Sequence, residues 1–141
     1  MPDSLTIPIA DDFHVHLRQD AMMQQVASLV HGGGVSRCVV MPNTTPPVAT
    51  AKEALRYRSE LETLDSDVEF LMTLYLVPEL TPALIEDAGA CGIFGVKCYP
   101  RGVTTNSDSG VEDLGAYDEV FASMESEGIA LLIHGEVPSN A

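Results

Sequence analysis

The sequence predicts an α/β fold built on a parallel sheet. Short apolar runs alternate with amphipathic stretches along the chain, and several runs, such as VEFLMTLYLV and IALLIH, are apolar almost throughout. Strands buried on both faces read as continuous apolar runs, and strand–helix alternation is the pattern of helices covering a parallel sheet.

The elements follow in order. FHVHL, residues 13–17, reads as a first strand. From Asp20 to His31, Met22, Val26, Leu29 and Val30 recur at helical spacing, and Gly32, Gly33 and Gly34 end that helix. SRCVVM is the second strand, closed by Pro42, and TTPPV is a rigid loop. Thr50 and Glu53 have capping-box spacing, with Ala54, Tyr57, Leu61 and Leu64 continuing one helical face. VEFLMTLYLV is the third strand. Thr81 and Pro82 look like an N-cap and first helical residue, opening a short helix that stops near Gly89. GIFGVKCY is the fourth strand and 101–112 a polar loop. Leu114, Tyr117, Phe121 and Met124 mark another helix, and IALLIH is the fifth strand.

At 141 residues the chain has the length of one domain, and no second composition regime or repeat divides it, so 1–141 reads as one architectural unit. The apolar share of 45% against 20% charged favours a folded chain over disorder. A net charge of −14 with only 7 basic residues excludes a nucleic-acid partner, which requires clustered Lys and Arg. No apolar run approaches the roughly 20 residues of a membrane span, and no signal peptide opens the chain. Cys38, Cys91 and Cys98 are odd in number and scattered, as reduced thiols of a cytoplasmic protein would be. A doubly wound sheet and a (β/α)8 barrel both fit. The absence of G-x-G-x-x-G and P-loop signatures favours the barrel.

The chemically capable residues share a position, the C-terminal ends of predicted strands, where active sites of such sheets form. His14, His16 and Arg18 end the first strand, Asn43 follows the second, Lys97 lies near the end of the fourth, and His134 ends the fifth. Strand alternation places His14 and His16 on one face, where two neutral imidazoles can ligate one divalent ion. By itself H-x-H more often marks surface or satisfied core histidines. Lys97 sits in a run otherwise suited to burial. Its amine either reaches the rim or pairs with an acid, or it is neutral and captures carbon dioxide as a carbamate. Asn43 is equally an ordinary turn residue, Thr104 and Thr105 equally members of a mobile loop, and His31 equally a helix-end charge. Asp11 and Asp12 could orient an imidazole, or simply cap and solvate. Arg18 is the candidate for holding an anionic substrate.

DDFHVHLRQD, VVMPNTTPPVATAKEALRYR, GVKCYPRGVTTNSDSGV and LLIHGE, in that order, closely resemble dihydroorotase in its shorter, monofunctional form. The resemblance covers nearly the whole chain and implies a TIM-barrel amidohydrolase with two Zn2+ ions, interconverting N-carbamoyl-L-aspartate and L-dihydroorotate in pyrimidine biosynthesis. It assigns His14 and His16 to the first zinc, Lys97, carboxylated, to both, and His134 to the second. Arg18 and Asn43 would hold the substrate carboxylate, and Thr104 and Thr105 would close over the substrate. Metal-activated water would supply the nucleophile that a cyclic amide requires near neutral pH. The complete enzyme would be a cytoplasmic homodimer.

The family's barrel has eight strands, and five are legible here. A further zinc histidine, and the aspartate that ligates the first zinc and acts as general acid/base, find no counterpart. These residues therefore read as an N-terminal portion, expected to fold poorly, bind metal weakly and be inactive alone. A hydantoinase- or allantoinase-like hydrolase, or a non-catalytic amidohydrolase-like scaffold, are the alternative readings.

Overall fold

A computed structural model of the protein describes residues 4–136 of the 141. Five parallel strands run in sequential spatial order: β1 (Ala10–Val15), β2 (Val35–Val40), β3 (Glu69–Tyr75), β4 (Gly95–Cys98) and β5 (Ala130–Ile133). Four helices connect them: α1 (Asp20–Ala27), α2 (Ala51–Glu62), α3 (Pro82–Ala90) and α4 (Asp118–Glu127). A doubly wound sheet would reverse its strand order at a switch point, whereas sequential order is that of barrel staves. Here α2 packs on β3, α3 lies between α2 and α4, and α4 reaches β5, so these helices form a layer along the sheet.

The helix starts follow local chemistry. The Thr50 hydroxyl accepts from the Glu53 N–H, and the Glu53 carboxylate accepts from the Thr50 N–H, closing the expected capping box. Thr81 caps α3, with Pro82 in its first turn. Ala54, Tyr57 and Leu61 form the buried face of α2, as the spacing predicts.

Two expectations are corrected. The first helix ends at Ala27, before the glycines, and buries Met23 and Ala27 while Met22 and Leu29 are exposed. Adjacent methionines leave periodicity unable to choose the inward one. Of the three glycines only Gly34 is left-handed, with φ +89°, at the entry to β2.

The strands differ in environment. All four residues of β4 and the last four of β3 are buried, whereas β1 and β5 are largely exposed. The core joins Leu61, Leu74, Leu76, Ile85 and Val96 beneath the helix layer.

Candidate active site

The C-terminal edge of this sheet collects the polar residues. β1 is irregular there: Asp12 pairs with Cys38 and Val15 with Val40, so three steps on β1 match two on β2. Such a bulge re-aims side chains. His14 lies within the bulge and His16 just beyond it, and their Nε2 atoms lie 3.1 Å apart. The expected pairing of the two imidazoles is therefore present. Burial lowers the pKa of both, His14 being further lowered by the facing Lys97 and His134 charges. For His16, burial outweighs the hydrogen bond to Asn43, which raises the pKa, and Arg18 lowers it further. Both rings are thus biased toward the neutral form that binds metal.

Asp11 and Asp12 do not orient either ring. Asp11 pairs with Arg37, and the Asp12 carboxylate accepts from the His14 backbone N–H. Asn43 does the orienting instead, its Oδ1 2.8 Å from His16 Nδ1. Asn43 is buried, and its Nδ2 donates to the Thr105 carbonyl at 2.8 Å while Asn106 donates to the Asn43 carbonyl at 2.9 Å. Sequence reasoning missed this role because the partners lie 27 and 62 residues away.

Lys97 is 2% exposed and has no ion-pair partner among the described residues. Its Nζ lies 5.0 Å from the centre of the Tyr99 ring. Burial pushes its pKa down, toward a neutral, nucleophilic amine. The pairing of Lys97 with an acid is therefore not seen, and the interior amine remains. The hydroxyl of the same Tyr99 is buried without a hydrogen-bond partner among the described residues, a donor in want of an acceptor.

Arg18 has left-handed backbone, φ +60°, and the Tyr57 hydroxyl donates to its carbonyl. Such strain in a non-glycine residue concentrates at functional sites. Its guanidinium has no carboxylate partner among the described residues. His134 ends β5 with its ring 5.8 Å from that of Tyr99, and its Nε2 meets the Glu136 carboxylate at 2.7 Å. Glu136 was not singled out in the sequence.

The loop 101–112 is internally bonded rather than loose. Ser107, 1% exposed, donates to the Thr104 carbonyl and accepts from the Thr104 N–H. A Cβ on Gly110 would come within 2.5 Å of the Tyr99 carbonyl oxygen, so only glycine lets the loop lie this close to β4. Thr104 is half-buried and Thr105 exposed. His31 lies away from this edge, its N–H bonded to Asp65.

Among the described residues no three of His, Cys, Asp and Glu gather closely enough to hold a metal ion. What the edge offers is a convergent pair of imidazoles and an unpaired interior lysine beside an unpartnered phenol. The donor set fits part of a metal site, since zinc usually takes about four ligands.

No family model matches the chain. It is 53% identical over 135 residues to a probable dihydroorotase of Schizosaccharomyces pombe, covering 96% of this chain and 40% of that protein. The crystal structure of Saccharomyces cerevisiae dihydroorotase in complex with 5-fluoroorotic acid superposes with a TM-score of 0.92 at 42% identity, covering 95% of this chain and 38% of that one. An L-hydantoinase of Arthrobacter aurescens shares the fold alone, at TM-score 0.73 and 23% identity. In sequence and backbone the chain matches dihydroorotases over nearly its whole length, and its curled sheet is a partial (β/α)8 barrel. The chain spans about 40% of the length of the first of these relatives.

Proposed function

We propose that this chain is the N-terminal part of a dihydroorotase, contributing the first five β/α units of one barrel domain to a two-zinc site that interconverts N-carbamoyl-L-aspartate and L-dihydroorotate. The observation that carries the reading is the meeting of His14 and His16 Nε2 at 3.1 Å on the same sheet edge as a buried, unpaired Lys97. The match to relatives named dihydroorotase supports the choice of substrate.

His14 and His16 would hold one zinc, a carbamate on Lys97 would join it to a second, and His134 would serve the second after leaving Glu136. When bound, zinc lowers the pKa of water to near neutrality and polarises a carbonyl. The chain's own residues prepare the rest. Arg18, permanently charged and planar, would take the substrate carboxylate through paired N–H donors, with Asn43 nearby. Thr104 and Thr105 would lie over the substrate and exclude water. Further ligands and a general acid/base are required for activity, and β1 and β5 are unpaired on their outer edges among the described residues, so a polypeptide of these residues alone is expected to fold poorly and be inactive.

The substrate is a small molecule, without nucleic acid or membrane. The full-length enzyme would be a homodimer in the cytoplasm, working in pyrimidine biosynthesis. Among the described residues no helix is long and apolar enough to cross a membrane. Turnover of dihydroorotate, hydantoin and allantoin by the full-length protein tests the reading. Preference for dihydroorotate is expected. Preference for either other ring would replace it with a related hydrolase, and no turnover of any would favour a scaffold.

A further inference from the structure

We infer that the loop carrying Thr104 and Thr105 selects which nitrogen of His16 bears the proton, with Asn43 as the positioning residue that transmits the choice. The inference rests on the metal reading of His14 and His16 above and adds a control over it.

The constraint begins in the loop. The Thr105 carbonyl can only accept a hydrogen bond, so the Asn43 atom that meets it at 2.8 Å must be the amide nitrogen. The other end of the same planar group, Oδ1, then faces His16 Nδ1 at 2.8 Å. That oxygen can only accept, so Nδ1 carries the hydrogen. In a neutral imidazole this leaves the lone pair on Nε2, the nitrogen that faces His14 and would meet a metal.

His14 is not held in this way. Among the described residues its Nδ1 has no hydrogen-bond partner, and with His16 Nε2 left as an acceptor the 3.1 Å contact between the rings requires the hydrogen to sit on His14 Nε2. His14 is free to exchange tautomers when a metal arrives, whereas His16 is fixed beforehand. The loop grips Asn43 on two sides, since Asn106, in left-handed backbone at φ +55°, donates to the Asn43 carbonyl at 2.9 Å. If the loop departs, both bonds are lost and the Asn43 amide can rotate by half a turn. It would then offer Nδ2 to His16, which would have to accept at Nδ1 and keep its hydrogen on Nε2. That tautomer must give up its Nε2 hydrogen, and with it the new Asn43 bond, before Nε2 can meet a metal, so loop seating and metal readiness are coupled.

The test uses the full-length protein with 15N-labelled histidine, read without metal. His16 protonated at Nδ1 is expected, and protonation at Nε2 overturns the inference. Two variants separate the links. Asn43→Asp keeps an acceptor for Nδ1–H but sets a second oxygen against the Thr105 carbonyl, whereas Asn43→Ala removes both partners. In zinc titrations against a chelator, Asn43→Ala should lose about ten- to hundred-fold in affinity, and Asn43→Asp should stay near wild type. Amide exchange at residues 104–107 should quicken in both. Equal loss of zinc in the two variants, or an unchanged loop in Asn43→Asp, contradicts the coupling. Failure of the wild type to bind zinc would remove the metal reading, and the tautomer measurement would still decide this one.

Discussion

The centre and the margins of the sheet are built differently, and the site draws on both. In β3 and β4 the backbone is sealed, and Lys97 is buried there without an ionic partner. On β1 and β5 the strands are exposed, Phe13 at 65% and Ile133 at 58%, and they carry His14 or lead directly into His16 and His134. The interior lysine is thus shaped by packing already complete in this chain. The histidines are shaped by individual contacts instead: a bulge on β1, the Asn43 bond, and the Glu136 bond to His134. Burial sets the environment of Lys97, whereas hydrogen bonds orient His16 and His134.

The largest effect should come from the centre. In the full-length protein, Lys97→Met is expected to abolish turnover, and when both proteins are stripped of metal it should raise the melting temperature, because an apolar side chain replaces a buried amine that has no ionic partner among the described residues. A lower melting temperature of the metal-free variant would mean that the Lys97 amine has a polar partner of its own. The pH dependence has a definite sign. Lys97 has a folded pKa below its ordinary value, so carbon dioxide capture improves as pH rises through that lowered value and fails as pH falls below it. Activity measured against pH at constant dissolved carbon dioxide checks this, and loss of capture on raising the pH would contradict it.

Packing tests the same contrast. Leu74→Ala, at 0% exposure in β3, should cost about 2–5 kcal/mol in denaturant unfolding. Ile133→Ala on β5 should cost under about 0.5 kcal/mol if β5 is an edge in the full-length protein. A cost near that of Leu74→Ala is the outcome expected if further barrel elements cover it, as proposed.

Much of this was legible in the sequence because the signals were local. Thr50 with Glu53, and Thr81 with Pro82, announce helix starts through contacts three residues long or shorter. The strand-end placement of His14, His16, Lys97 and His134 followed from apolar runs alone. What escaped was non-local or hidden by composition. The Asn43 bond joins residues far apart in sequence, the β1 bulge depends on its neighbour strand, and Ser107 reads as loop filler although it is buried. The inward choice between Met22 and Met23 depended on packing that periodicity does not specify.

The smallest expected effect is at a cap. Thr50→Ala should cost about 1 kcal/mol by loss of its bond to the Glu53 N–H, read by thermal unfolding. No measurable change would mean that packing of α2 alone sets its start.

The central claim is that a buried lysine and a strand-end histidine pair belong to one metal site, and Lys97 tests it most directly. Electron density for the active, zinc-loaded, full-length protein should show a carboxyl group on Lys97 Nζ joining two metal ions, with His14 and His16 on one of them. A bare amine at Lys97 in that active, metal-loaded enzyme would contradict the account.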